Sequence, residues 1–206
     1  MLNLLFGFIF ISGIYYLVRY RLNLRKAAES APAAVYPQSK EEFSGILLPG
    51  EWLEMEPLNK ESKSYRVVNW GTYAALALLF SLLGVVLATD WLDTQFIMVS
   101  YLFFIILSAI RHRGNFFILP NGVILNARYY PFSDIKVYET ERIVRWHELY
   151  GLDERADNGY KLAFKIKNKW LQPHYVVIQH KEQLDKVTAL LKRKGVTGVE
   201  NEVPYE

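Results

Sequence analysis

Three stretches of the chain contain almost only apolar residues, at residues 2–18, 71–88 and 96–110. None of them includes an Asp, Glu, Lys, Arg or His. A helix needs about 20 apolar residues to cross a hydrocarbon core about 30 Å thick. The three runs therefore predict membrane helices, although the first is near the lower limit of length. The alternative, buried helices of a large globular core, fails because the remaining residues are too few to surround them.

The second run is the clearest of the three. Trp70 and Trp91 bracket it, and a helix that rises 1.5 Å per residue would place them about 31 Å apart. Trp favours the two membrane interfaces. The third run reaches about 20 residues only if its helix begins near Trp91. These observations predict a transmembrane helix over residues 1–18 and a transmembrane helical hairpin over residues 70–110.

The charges beside the apolar runs predict their orientation. Basic residues follow the first and third runs, at Arg19, Arg21, Arg25, Lys26, Arg111 and Arg113. The turn at residues 90–95 carries two Asp and no Lys or Arg. Because positive loops stay inside, residues 19–69 and 111–206 are predicted to be cytoplasmic and the N-terminus to be outside, in a multi-pass protein of the cell membrane.

A cleaved signal peptide over residues 1–34 is the competing interpretation of the N-terminus. Small residues at 27–34 could supply a cleavage site. A signal peptide, however, carries its positive charges before the apolar stretch, and here they follow it. An uncleaved anchor is favoured.

After residue 111 the pattern changes from helix to strand. Short β-rich segments are found at residues 116–119, 123–126, 129–132, 135–146, 160–167 and 174–179. The first two are joined by Pro120-Asn121-Gly122, in which Asn-Gly would supply the positive φ of a tight hairpin turn. Residues 160–167 alternate between apolar and mostly basic side chains, as a half-buried strand does.

One amphipathic helix is predicted over residues 181–195. Its apolar stripe consists of Leu184, Val187, Leu190 and Leu191, and Gly195 is a suitable terminator. Residues 111–196 then form a cytoplasmic antiparallel barrel or sandwich capped by one α-helix, followed by a flexible tail at 197–206. Residues 19–69 form a linker and an extended segment, and whether residues 43–57 lie along the bilayer or pack on the C-terminal domain is open.

Two short motifs are similar to those of a known family. Pro131-Phe132-Ser133-Asp134-Ile135 follows the hairpin, and Leu47 to Glu51 (LLPGE) precedes the helical pair. Over residues 44–195 the chain resembles the bacterial pleckstrin-homology-like (bPH) membrane proteins. The resemblance implies a PH-like antiparallel β-barrel of seven strands capped by one α-helix, and it implies no shared catalytic residues.

Composition and motifs exclude several classes of function. With 24 Lys+Arg against 21 Asp+Glu, the basic excess is too small for a nucleic-acid binder. Cysteine is absent, and the four His residues, His112, His147, His174 and His180, show no metal-ligand spacing. The uncharged apolar runs argue against a coupled transporter. We therefore predict no enzyme activity, no cofactor and no metal, with a pocket of Asp153, Glu154 and His147 as the one arrangement that would indicate catalysis.

A row of basic residues is the candidate contact surface. Its members are Lys161, Lys165, Lys167 and Lys169 beside Trp170, together with Arg111 and Arg113. Near anionic lipid each cation would add about 1 kcal/mol of attraction. The simpler interpretation is a solvated strand face whose lysines discourage edge pairing.

Two functions compete on these grounds. The first is a non-enzymatic integral membrane protein whose PH-like domain mediates protein–protein interaction or scaffolding at the membrane. The alternative is that the same domain reads anionic lipid headgroups through the basic strand face.

Overall fold

The computed structural model describes residues 2–49, 52–88, 91–108, 114–167 and 174–201. The chain divides into two compact units. Unit 1 consists of Met1–Glu29 and Asn59–His112, and unit 2 consists of Ser30–Leu58 and Arg113–Glu206. Unit 2 is thus built from segments on both sides of the predicted helical hairpin.

Five α-helices and nine strands are present in the described residues. The helices are α1 (Leu2–Ser30), α2 (Lys40–Ser44), α3 (Lys63–Ala88), α4 (Trp91–Ser108) and α5 (Lys181–Arg193). The strands are β1 (Ile46–Leu48), β2 (Leu53–Glu54), β3 (Phe116–Leu119), β4 (Gly122–Leu125), β5 (Arg128–Pro131), β6 (Ile135–Arg142), β7 (Tyr160–Ile166), β8 (Tyr175–Ile178) and β9 (Gly198–Asn201). The six strands predicted between residues 116 and 179 and the final amphipathic helix are confirmed.

Unit 1 packs α1, α3 and α4 around a small apolar cluster. Its buried members are Phe10, Leu17, Ala75, Leu79, Val86, Val99 and Phe103. The rings of Phe10 and Phe103 lie 5.1 Å apart. On the outer sides of the same helices large apolar side chains are exposed, among them Phe8, Ile11, Leu78, Phe80, Tyr101 and Phe104. One of the described helices, over Lys63–Val86, is long and apolar enough to cross a membrane.

Helix α1 is longer than the apolar run that predicted it. It continues as one helix to Ser30, through residues 19–30, which the sequence assigns to the linker. Leu24, Ala27 and Ala28 are buried, and Arg21 Nε donates a hydrogen bond to Asn69 Oδ1 at 2.8 Å. The extension therefore follows from packing, which the polar composition of residues 19–30 does not predict.

Unit 2 contains two sheets. Strands β3, β4 and β5 form an antiparallel sheet of three, and the other sheet has the order β2-β1-β8-β7-β6-β9. All pairs of the larger sheet are antiparallel except β6 with β9. The described strands thus form a mixed sheet and a separate antiparallel sheet, not one closed sheet.

The first hairpin turns differently from the prediction. Its turn consists of Pro120 and Asn121, because Gly122 already pairs with Leu119. Positive φ values occur instead at Asn126 (49°) and Ala127 (63°), in the turn between β4 and β5. Gly122 is needed for space, since a Cβ there would overlap the carbonyl oxygen of Tyr130.

The segment at residues 43–57 packs on the C-terminal domain. Strand β1 lies between β2 and β8, with Ile46 opposite Ile178 and Leu47 opposite Val177. Its three side chains are all buried, as expected for a strand covered on both faces. Of the two placements left open by the sequence, the structure shows this one.

Two segments predicted to be flexible are ordered by backbone pairing. Val35 N–H donates to the Ile118 carbonyl at 2.7 Å, and Ile118 N–H donates to the Tyr36 carbonyl at 2.8 Å. The Tyr36 side chain is fully buried. At the other end, Gly198–Asn201 forms a strand within the predicted tail.

Candidate functional site

The predicted basic row is only partly a free basic surface. Lys161 Nζ lies 3.1 Å from Glu141 Oε2 and 2.9 Å from Glu148 Oε1. Lys165 pairs with Glu139, and Lys167 Nζ donates to the Ser133 carbonyl at 2.6 Å. The acids of β6 therefore partner the lysines of β7.

The register of the sheet explains this pairing. Glu141 lies directly opposite Lys161 in the antiparallel β6–β7 pair, where facing side chains are close enough for opposite charges to attract. The buried residues Leu162, Phe164 and Ile166 alternate with the lysines, which confirms the predicted inward face. Arg111, Arg113, Lys169 and Trp170 lie outside the described residues.

Glu141 is the centre of a hydrogen-bonded network. Its Oε2 also faces His147 Nε2 at 3.3 Å, and its Oε1 accepts a hydrogen bond from Asn201 Nδ2 at 3.0 Å. His147 Nδ1 accepts from the Leu149 N–H at 3.0 Å. The proton of the neutral imidazole therefore lies on Nε2, facing the carboxylate.

The network changes the acidity of its members. Burial tends to raise the pKa of Glu141, but the hydrogen bonds from Asn201, Lys161 and His147 outweigh it, and the pKa lies below the usual 4.5. Burial tends to lower the pKa of Lys161, and the two glutamates outweigh that effect, so this pKa is raised. Both groups are thus held in their charged forms.

In the described part of the chain, the other histidines and Asp153 have partners or positions outside this network. His174 Nε2 lies 3.1 Å from Tyr130 Oη, and His180 precedes α5 as its N-cap residue. His112 lies outside the described residues. Asp153 pairs with Arg155 at 3.0 Å, while His147 faces Glu141. Among the described residues no group of three His, Cys, Asp or Glu is placed to hold a metal ion.

A groove runs between α5 and the β6–β9 edge of the larger sheet. It consists of two adjoining cavities of about 370 and 240 Å³. Both are lined by Thr140, Leu184, Asp185 and Glu200. We call this surface the α5 groove.

The two ends of the α5 groove differ in character. The larger cavity adds Arg142, Trp146 and Lys181, and the Trp146 side chain is 60% exposed. The smaller cavity adds Tyr138, Lys192 and Gly198. The groove therefore combines an exposed indole with charges of both signs.

Sequence reasoning missed the α5 groove. Its residues come from β6 and the loop after it, from the start of β7, from α5 and from β9, which are separate in the sequence. Trp146, an indole in a charged stretch, was the one local signal that could have drawn attention to it.

Comparisons with known proteins identify no family for the chain. No family model, no curated protein and no solved structure matches the chain. The resemblance to bPH proteins stays a prediction.

Proposed function

We propose that the chain is a non-enzymatic integral protein of the cell membrane, and that its cytoplasmic PH-like domain binds a protein partner through the α5 groove. In this proposal α1, α3 and α4 are three transmembrane helices with the N-terminus outside. The two sheets and α5 are the PH-like barrel with its helix.

The distribution of apolar side chains in unit 1 supports the membrane assignment. A soluble helical bundle places its large apolar residues inside and polar residues outside. Here Leu78 and Phe80 are exposed beside the buried Leu79 on the same helix. Phe8 of α1 and Phe104 of α4 are exposed as well. Exposed apolar side chains on all three helices fit lipid contact.

The order of elements in unit 2 supports the PH-like assignment. Antiparallel strands β3 to β8 follow one another along the chain, and α5 comes after the last of them. The resemblance likewise implies consecutive strands followed by one helix, although it implies seven strands and these are six.

The charge balance of the larger cavity of the α5 groove carries the choice of a protein partner over a lipid headgroup. Two cations, Arg142 and Lys181, and two acids, Asp185 and Glu200, line this cavity, and the smaller cavity adds Lys192. A phosphate group is bound by a cationic excess, which two acids would oppose. An exposed Trp with Arg nearby is instead typical of protein interfaces.

The lysines of β7 also favour a protein partner over a lipid headgroup. Lys161 and Lys165 are paired with glutamates, so lipid phosphates would have to compete with carboxylates already in place. The attraction of about 1 kcal/mol per cation that a free basic surface would give is reduced accordingly.

Site-specific photocrosslinking tests the proposal in the full chain. A photoreactive phenylalanine analogue replaces Trp146, and the same analogue at Tyr129, an exposed aromatic of β5, is the matched control. We expect a discrete protein adduct from position 146 that is absent from position 129 and is lost in an Asp185→Lys variant. Adducts with lipid alone, or the same proteins from both positions, would contradict it.

Protease protection in intact cells tests the orientation separately. Residues 19–68 and 111–206 should be cleaved only after the inner leaflet is made accessible. Cleavage of residues 111–206 from outside, or extraction of the chain by carbonate, would overturn the membrane arrangement.

A further inference from the structure

Strand β9 has an unusual position in the larger sheet. It pairs with β6 in parallel, with Tyr138 opposite Gly198 and Glu141 opposite Asn201. It is the one parallel partner among the described strands. As the last strand of the order it covers the edge of β6.

Few side-chain contacts hold β9 in place. Three of its four residues are exposed, and Gly198 is the partly buried one. The Asn201 amide donates to Glu141 at 3.0 Å, and the Tyr138 ring lies against Gly198. Among the described residues, the other attachments of β9 are backbone pairs, and Tyr138 N–H also donates to the Thr197 carbonyl at 3.0 Å. Such backbone bonds can be made equally well by another extended chain.

The turn before β9 ends the packing of α5 in the core before β9 begins. Gly195 N–H donates to the Lys192 carbonyl at 3.0 Å and Val196 N–H to the Leu191 carbonyl at 3.1 Å, with Gly195 at φ 79°. This is a Schellman motif, which ends α5 by itself. Because Val196 is buried, the core of α5 is complete before β9 begins, and β9 can leave without opening it.

We propose that the edge of β6 is a strand-addition site, and that β9 is its internal occupant until an extended segment of the partner protein replaces it. This inference rests on the proposed function and names how the partner binds at the α5 groove. When β9 leaves, the backbone N–H and C=O groups of β6 that it paired with are exposed. The partner segment pairs with them and places its side chains along the α5 groove.

Two contacts of β9 define the chemistry of the partner segment. A Cβ built at Gly198 would overlap the ring of Tyr138, so the segment carries Gly at that position. Three residues later the segment presents a hydrogen-bond donor, Asn, Gln, Lys or Arg, to the Glu141 carboxylate, as Asn201 does. The pattern is Gly-x-x-donor in an extended conformation.

A peptide with the sequence of residues 196–206 is the probe that tests this. The full chain and a variant that lacks residues 197–206 are prepared in lipid nanodiscs, and peptide binding is followed by fluorescence anisotropy. We expect saturable binding to the shortened variant and binding at least about tenfold weaker to the full chain, because β9 occupies the site most of the time. A peptide with Gly198→Val should bind neither protein.

A second variant retains every residue of the chain. Gly198→Val in the full chain places a side chain against Tyr138, so β9 should detach and hydrogen exchange of the Tyr138 amide should accelerate. The unsubstituted peptide should then bind and restore slow exchange. Together the two variants keep the test decisive if the shortened chain fails to fold.

Several results would overturn the inference. These are peptide binding to neither variant, equal binding of the two peptides, and equal binding to the full chain and the variants. A dimer that forms by exchange of β9 between two copies would make a second copy the occupant and would also overturn it. If peptide binding fails while the Trp146 adduct persists, the strand site is wrong and the proposed function stands. If the peptide binds but position 146 gives no protein adduct, the proposed function is wrong and the β6 edge accepts a strand without the partner proposed here.

Discussion

Lys161 Nζ lies 3.1 Å from Glu141 Oε2, across the antiparallel pair of β6 and β7. Glu148 approaches the same ammonium group at 2.9 Å. The Lys161 side chain is only 16% exposed, so it is a structural cation held between two acids. This pairing makes the row of lysines on β7 a poor surface for attracting anions.

Replacement of Lys161 by Met should destabilise unit 2 more than the same change at a neighbouring lysine. It leaves Glu141 and Glu148 close together without their cation, and we expect a loss of about 1–2 kcal/mol. Lys165→Met is the matched control, because the Lys165 side chain is 61% exposed, and its change should stay below about 0.5 kcal/mol. Thermal unfolding of the full chain in detergent micelles measures both. Equal losses would show that Lys161 is not structural.

Acid should weaken the structure partly through Glu141. Its pKa in the folded protein lies below the usual 4.5, so the unfolded chain takes up the proton first as the pH falls. The stabilisation is complete above pH 4.5 and is lost as the pH falls through the lower folded-state value. In a Glu141→Gln variant the unfolding temperature should be lower at neutral pH and should fall less steeply below pH 4.5. Glu154→Gln, in the exposed loop, should keep the wild-type profile.

Two adjacent leucines of α3 should respond to truncation to very different extents. Leu79 is fully buried in the helical cluster, whereas Leu78 is 58% exposed. Leu79→Ala should cost about 2–4 kcal/mol because it leaves a cavity, and Leu78→Ala less than about 1 kcal/mol. Unfolding of the purified chain by a denaturing detergent gives both values. A larger effect at Leu78 would contradict the packing of α3 described above.

The first hairpin provides a test of why its glycine is needed. Gly122→Ala should destabilise unit 2 by about 2 kcal/mol, because the added Cβ meets the Tyr130 carbonyl oxygen and the Tyr129 ring. Asn121→Ala, in the turn itself, should change stability by less than about 0.5 kcal/mol. If a positive φ at Asn121 were required, Asn121→Ala would be clearly destabilising as well. Thermal unfolding distinguishes the two explanations.

The elements that sequence patterns predicted are those whose signals are local. Strand β7 alternates residue by residue, and the stripe of α5, Leu184, Val187 and Leu191, is buried as expected. Strand β9 has no such alternation, and only its register with β6 makes it a strand. Likewise β1 is defined by β8, which lies far along the chain.

The same distinction applies to the candidate site. Periodicity placed Lys161 and Lys165 on the outward side of a strand, but it gave no sign that Glu139 and Glu141 would partner them. The α5 groove is formed by segments that are far apart in the sequence, so no local pattern predicts it. The sequence therefore identified the lysines as candidate headgroup contacts, but not the glutamates that pair with them.

The placement of β1 beside β8 has a consequence for biosynthesis. The ribosome makes β1 before α3 and α4, and β8 only after both. The β1–β8 pair can form only after α3 and α4 have been made, so the edge of β1 that pairs with β8 stays open until then, while its other edge pairs with β2. A fragment begun after the hairpin would leave the buried edge of β8 open, and an open edge invites aggregation.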